Sequence, residues 1–129
     1  MKIIVVDDEQ IALEGLLTLI SEVVPEAELN GFEYPKEALK YVDNYDCNIA
    51  FLDIEMYGIN GVSLANILLQ MNPNINIIFS TGYGNYRDVA FDIHASGYIV
   101  KPITPEKVKK ELANLRKPVK EVKKLQINV

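Results

Sequence analysis

Three carboxylates, a hydroxyl and an ammonium follow short apolar runs in this chain. Ile3-Ile4-Val5-Val6 leads into Asp7-Asp8-Glu9, and Ile49-Ala50-Phe51-Leu52 leads into Asp53. Ile75-Asn76-Ile77-Ile78-Phe79 leads into Ser80-Thr81-Gly82, and Tyr98-Ile99-Val100 leads into Lys101-Pro102. Clustered carboxylates repel one another unless a cation neutralises them. Hard oxygen donors without histidine or cysteine nearby favour Mg²⁺ over zinc or iron. A carboxylate at the exit of a core strand is costly unless its charge is compensated. With Mg²⁺ and Lys101 beside it, Asp53 stays ionised, and a carboxylate can attack phosphorus to give an aspartyl phosphate. Such a transfer needs charge stabilisation on the equatorial oxygens and little else. Mg²⁺, the Lys101 ammonium, the Thr81 hydroxyl and backbone N–H groups are suited to supply it.

Each residue also has a plainer reading. Asp8 and Glu9 can cap the helix that follows, worth about 0.5–2 kcal/mol. Lys101 can be a surface lysine, and Thr81 a strand former or a cap. Capping accounts for one acid of three and for neither Asp53 nor Lys101. Asp7 and Asp8 are adjacent and point in roughly opposite directions near a strand end. Both can reach a shared ion once the strand gives way to a loop.

The elements that must position these groups alternate. The β-branched runs predict strands over 3–6, 49–52, 75–79 and 98–100, with a weaker one over 27–32. Their continuous apolar character predicts cover on both faces, as in a parallel sheet. Helical spacing lies between them. One stripe is Ile11, Leu16, Leu19, Ile20 and Val23, ended before Pro25. A second is Ala38, Leu39, Val42 and Tyr45, and a third is Val62, Ala65, Leu68 and Leu69, ended before Pro73. A short fourth is Val89, Ala90, Phe91 and Ile93, which would include His94 and end near Gly97. A fifth is Val108, Leu112 and Leu115, with Thr104 as N-cap and Pro105 in the first turn. Five β-α units make a three-layer α/β sandwich, and ligands of open parallel sheets bind outside the carboxyl ends of the strands.

Composition narrows the classes. A chain of 129 residues reads as one domain, and 49% hydrophobic with 24% charged residues excludes a disordered chain. The one cysteine, Cys47, excludes an internal disulfide, suits a reducing compartment and reads as a semi-buried thiol. Apolar runs of four to six residues are too short for a membrane span, and no signal peptide is visible, so a cytoplasmic place is expected. Residues 1–100 hold 4 basic and 15 acidic residues, and residues 101–129 hold 9 and 3, giving the total of −5. So acidic a body repels nucleic acid. The basic tail, with Arg116, Lys117, Lys120, Lys123 and Lys124, reads as a solvated surface or linker.

Residues 1–116 resemble the receiver domain of two-component response regulators. The resemblance runs through Val6-Asp7-Asp8-Glu9, Leu52-Asp53-Ile54-Glu55-Met56, Gly58 and Gly61, Ser80-Thr81, and Gly97-Tyr98-Ile99-Val100-Lys101-Pro102. It implies a doubly wound, flavodoxin-like five-stranded parallel sheet of order 2-1-3-4-5 with helices on both faces. It implies Asp53 as phosphoacceptor, taking a phosphoryl group from a sensor histidine kinase and losing it by slow hydrolysis. It implies Mg²⁺ bound by Asp8, Asp53 and the backbone carbonyl of Glu55, with Asp7 acting through water. Lys101 would pair with Asp53 and then with the phosphoryl oxygens. Thr81 would move to the phosphoryl group and Tyr98 turn inward with it. The Lys101–Pro102 bond is usually cis in this family. A homodimer through the face of the fourth helix, fifth strand and fifth helix is also implied. That face carries Arg87, Asp88, Asp92, Lys107, Lys109, Lys110 and Glu111. Such a domain transfers phosphoryl to itself and is no enzyme for an outside substrate.

Two positions depart from the family pattern. Tyr57 stands where a proline is usual, leaving the loop freer and adding an N–H donor. Gly82 stands where an alanine is frequent. Tyr57, Tyr83 and Tyr86 would lie beside the site, placed to shield a phosphate from water. Residues 117–129 read as a linker or the start of a truncated effector domain that would bind DNA, or as a tail packed on its own domain. Two alternatives remain: a pseudo-receiver that acts only as a protein-interaction domain, and a hydrolase working through an aspartyl phosphate. The intact set Asp7, Asp8, Asp53, Thr81 and Lys101 speaks against the first. Met56 and Tyr57, standing where a second acid would be needed, speak against the other.

Overall fold

A computed structural model describes residues 1–119. Strands β1 (Lys2–Val6), β2 (Glu28–Phe32), β3 (Ile49–Leu52), β4 (Asn76–Thr81) and β5 (Gly97–Val100) alternate with helices α1 (Gln10–Val23), α2 (Pro35–Asn44), α3 (Gly61–Met71), α4 (Arg87–Asp92) and α5 (Pro105–Ala113). All strand pairs are parallel, in the order β2-β1-β3-β4-β5. This is the expected doubly wound sheet.

The continuous apolar runs divide by parity, because successive strand residues face opposite sides. Ile4, Val6, Ala50, Leu52, Ile77 and Phe79 pack with Ala38, Leu64, Ala65, Leu68 and Ala90 of α2, α3 and α4. Ile3, Val5, Ile49, Phe51, Ile78 and Ile99 pack with Leu13, Leu16, Ile20 and Val108 of α1 and α5. The two cores explain why β3 and β4 are buried along their whole length while β2, at the edge, is not.

Helix starts follow local chemistry. Thr104 caps α5, its side chain accepting the Lys107 N–H, with Pro105 in the first turn. Asn60 does the same for α3 through the Val62 N–H at 2.7 Å. Four residues assigned to helical stripes face solvent. Ile11 lies about 200° around the helix from Leu13 and is 88% exposed. Tyr45 is the extended C-cap of α2, past the last turn. In α4, Ala90 is buried while Val89 and Phe91 are exposed, since six residues form too short a helix to bury a wide stripe. The helix also stops earlier than the sequence predicts. His94 lies outside it, at φ 59°, with its N–H on the Phe91 carbonyl. Histidine is among the residues enriched at positive φ. Cys47 is fully buried rather than half-buried, and burial pushes its thiol up to about 12.

At the amino edge of the sheet, buried Asn76 joins several segments. Its Oδ1 accepts from Ser96 Oγ at 2.6 Å and from the Lys117 N–H at 2.9 Å, and its Nδ2 donates to the Lys117 carbonyl at 2.9 Å. Of the segment read as a linker, residues 117–119 pack here, with Val119 buried. Lys120, Lys123, Lys124 and the expected effector strand lie outside the described residues.

At the opposite edge the loop after β3 turns tightly onto α3. The Gly61 N–H donates to the Ile54 carbonyl at 2.7 Å, and a Cβ on Gly61 would overlap the Asp53 carbonyl. Gly61→Ala is therefore expected to destabilise the domain by at least about 2 kcal/mol, because the obstacle is backbone and cannot move aside. Urea unfolding measures the loss. A change under 0.5 kcal/mol, on the order of a neutral surface substitution, contradicts the packing described.

Candidate functional site

The sheet ladder runs past the strand ends and fixes the site through the backbone. The Asp7 N–H donates to the Phe32 carbonyl at 3.1 Å, the Asp53 N–H to the Val6 carbonyl at 3.0 Å, and the Lys101 N–H to the Thr81 carbonyl at 2.7 Å. Asp7, Asp53 and Lys101 are thereby held at one edge by hydrogen bonds of the sheet type. The Lys101–Pro102 peptide is cis.

Asp7 and Asp53 are buried, at 2% and 5% exposure, and Asp8 is half-buried. One carboxylate oxygen from each lies within 4.8 Å of the others. The two neighbouring aspartates therefore do converge. The Asp7 Oδ1 accepts the Glu9 N–H at 2.9 Å, which leaves Oδ2 to Lys101 Nζ at 3.0 Å. Asp53 Oδ1 accepts the N–H of Ile54 at 2.9 Å, and its Oδ2 stands 3.8 Å from Lys101 Nζ. The resemblance implied a Lys101–Asp53 pair, and here the closer partner is Asp7. The ammonium lies between two competing carboxylates, each with its other oxygen tied to a backbone N–H, and stands closer to Asp7.

These charges act on one another. Burial pushes Asp53 up to about 6, the Asp7 charge adds to the rise and Asp8 contributes last, against the pull of Lys101 and the Ile54 N–H. For Lys101, burial works to lower the pKa. The hydrogen bond to Asp7 and the charges of Asp7, Asp53 and Glu9 outweigh it, so the ammonium is held above its ordinary value. The result is a carboxylate mostly ionised at neutral pH, more basic than an ordinary aspartate, and beside a fixed cation. That is the condition of an activated carboxylate nucleophile. The donor set of carboxylate oxygens, with no histidine or cysteine among the clustered ligands, fits a hard divalent cation such as Mg²⁺.

The loops add further contacts. The Tyr57 N–H donates to Asp8 Oδ2 at 2.7 Å, a bond that a proline in that place cannot make. The Tyr57 side chain itself is 92% exposed. Tyr86 bridges the two loops, its hydroxyl donating to Glu55 Oε2 at 3.3 Å. Tyr83 is half exposed and supplies backbone groups to the site: its N–H reaches Thr81 Oγ1 at 3.4 Å, and its carbonyl accepts the Tyr98 hydroxyl. Thr81 is fully buried. The Tyr98 ring packs against Phe79 and lies under the guanidinium of Arg87, 4.8 Å from ring centroid to Cζ.

Two surface residues are thus engaged within the chain. Arg87 covers Tyr98, and Lys107 Nζ donates to the Val100 and Pro102 carbonyls at 3.0 and 2.9 Å. Sequence reading placed both on a dimer face. It had no signal for either contact, since each partner is specified by the fold and not by spacing.

A family model of the response regulator receiver domain matches residues 3–113. The sensory transduction protein LytT of Bacillus subtilis (strain 168) is 30% identical over 117 residues, covering 91% of this chain and 48% of that protein. The transcriptional regulatory protein LytR of Staphylococcus aureus (strain N315) is 32% identical over 118 residues, covering 90% and 47%. The chain thus spans about half the length of the curated relatives it matches. Among solved structures, the response regulator protein TrrA from Thermotoga maritima in complex with Mg(2+)-BeF superposes with a TM-score of 0.77 at 31% identity, over 87% of this chain and 96% of that one. Sheet order, the acidic edge closed by Lys101 and these matches agree: the chain belongs to the receiver domain family of two-component response regulators.

Proposed function

We propose that this chain is a phosphorylatable receiver that uses Asp53 as its acceptor. The observation that carries the reading is a buried, basic Asp53 placed between two further aspartates and Lys101. A carboxylate oxygen of Asp53 attacks the phosphorus of a phosphohistidine on a sensor kinase. The P–N bond breaks, and the departing imidazole keeps the electron pair and takes a proton from water. Lys101, 3.8 Å from Asp53 Oδ2, pairs with the oxygens of the transferred group. Asp8, Asp53 and the Glu55 backbone carbonyl would hold Mg²⁺, with Asp7 acting through water, and the ion would supply positive charge for the same oxygens. Thr81, held by one long contact from Tyr83, turns its hydroxyl to the phosphoryl group, and Tyr98 follows inward. The two conformations pre-exist and the phosphoryl contacts favour one.

The kinase is the upstream partner. Downstream lies a homodimer through α4, β5 and α5, and an effector that binds DNA, a reading supported by relatives named as transcriptional regulatory proteins. The receiver itself does not bind nucleic acid, and cytoplasmic action goes with this role. No helix among the described residues is long and apolar enough to cross a membrane.

Intact mass after incubation with acetyl phosphate and Mg²⁺ tests the acceptor. One added phosphoryl group is expected, labile to hydroxylamine and absent with EDTA or in Asp53→Asn. A gain that persists in Asp53→Asn reassigns the acceptor. No gain, combined with no Mg²⁺ binding by calorimetry, replaces the reading with a phosphorylation-independent interaction domain.

The charge cluster makes a separate prediction. Asp53 has a folded pKa of about 6 against an ordinary 3.8. Between these values the folded chain holds more protons than the unfolded one, so stability falls as pH rises through this window. Above it the cost is complete. Asp53→Asn is expected to gain about 1–3 kcal/mol at pH 7 and to flatten the dependence between pH 4 and 6, roughly the interval bounded by the two pKa values. Mg²⁺ is expected to raise the melting temperature of wild type more than that of the variant. Thermal melts across pH decide this, and a variant less stable than wild type at pH 7 refutes it.

A further inference from the structure

The three aspartates of the carboxyl edge are held in different ways. Asp7 Oδ1 accepts the Glu9 N–H at 2.9 Å, and Asp53 Oδ1 accepts the Ile54 N–H at 2.9 Å. Each of these donors belongs to the same stretch of chain as the carboxylate it holds. The donor to Asp8 comes from 49 positions away, where the Tyr57 N–H meets Oδ2 at 2.7 Å. Asp8 lies in the loop after β1, and Tyr57 lies in the loop between β3 and α3.

That second loop is itself braced. The Gly61 N–H closes it on the Ile54 carbonyl at 2.7 Å, and the Tyr86 hydroxyl reaches Glu55 Oε2 at 3.3 Å. Gly58, at φ 93°, turns the chain directly after Tyr57. The Tyr57 side chain is 92% exposed, so the contact with Asp8 belongs to the backbone. A cation held by Asp8 and the Glu55 carbonyl needs oxygens from both loops. The Tyr57 N–H joins those loops only two residues beyond Glu55. A hydrogen bond to one oxygen limits rotation of the carboxylate, while further acceptor positions stay open to an ion. Hydrogen bonds that orient metal ligands in this way raise affinity for the metal.

We propose that Tyr57 is a positioning residue of the cation site, its backbone N–H presetting the Asp8 carboxylate for Mg²⁺. The proposal rests on the reading of Asp8 and the Glu55 carbonyl as ligands.

Mg²⁺ titrations of the whole chain, followed by amide NMR, test it. Tyr57→Ala keeps the N–H and removes the ring, whereas Tyr57→Pro removes the N–H. Tyr57→Pro is expected to raise the Mg²⁺ dissociation constant about ten-fold over Tyr57→Ala, the lower end of what losing such a bond costs a metal site. An ester in place of the Met56–Tyr57 amide removes the same N–H without a proline ring, and the same loss is expected. With acetyl phosphate, the Mg²⁺ concentration for half-maximal rate should rise by the same factor, the rate at saturating Mg²⁺ staying within about two-fold. An ester chain that binds Mg²⁺ as tightly as Tyr57→Ala overturns the proposal. Tighter binding overturns it too, since the N–H would then compete with the ion. Failure of the ligand reading looks different: Asp8→Ala then binds Mg²⁺ as well as wild type does. Failure of the proposal alone leaves Asp8→Ala weak and the ester and alanine chains equal.

Discussion

The Lys101 ammonium set between Asp7 and Asp53 is the interaction on which the carboxyl edge of this domain depends. Two buried carboxylates within reach of each other, with a third beside them, repel in a medium that screens poorly. One fixed cation offsets part of that repulsion. The shifts record the imbalance: Lys101 is held protonated, yet Asp53 still rises to about 6. One ammonium does not satisfy three acids. The edge keeps a residual attraction for positive charge, and that follows from the backbone ladder that places the groups. None of them has reached its position by choosing a favourable rotamer on a free surface.

The loops serve this arrangement. Gly61 lets the first turn of α3 press against the Asp53 carbonyl, so Asp53 sits in a backbone frame with little slack. Gly58, at φ 93°, turns the chain between them in a conformation that L side chains rarely adopt. The Tyr57 N–H then fastens this loop to Asp8, linking the ends of β1 and β3. A proline at 57 would stiffen the loop and lose that bond, so stiffness and attachment are alternatives at this position. This chain has attachment.

Strands covered on both faces and the acidic edge with Lys101 were legible in the sequence because each rests on a local rule, while the sheet order followed from the family resemblance. Alternation places strand residues by parity, and polar residues that directly follow apolar runs lie at strand ends. The misplaced helix residues show where such rules weaken. Ile11 shares a helix with Leu13, Leu16 and Ile20 but not their face. His94 was assigned to α4, a helix with too few turns for its end to be read from periodicity. The Asp7 contact of Lys101 and the partners of Lys107 and Arg87 were out of reach for another reason. A long cationic side chain has several acceptors within its span, and the choice among them is made by loops that share no spacing rule with it. The Tyr57 contact is the instructive exception. There the donor was visible because its residue type departs from proline, while its acceptor, 49 positions away, was not.

The two ends of the sheet solve opposite problems. At the amino edge Asn48, Asn76, Ser96 and Lys117 meet in direct hydrogen bonds, and among the described residues no buried side-chain nitrogen or oxygen lacks a partner. Neutral amides suit that end, since each can donate and accept and none leaves a charge uncompensated. At the carboxyl edge the groups are also bonded, but their charges do not balance. Hydrogen bonding satisfies geometry there without satisfying electrostatics. A divalent cation or a phosphoryl group changes the balance at that end while the amide junction holds the other. The central strands join the two ends as one hydrogen-bonded frame.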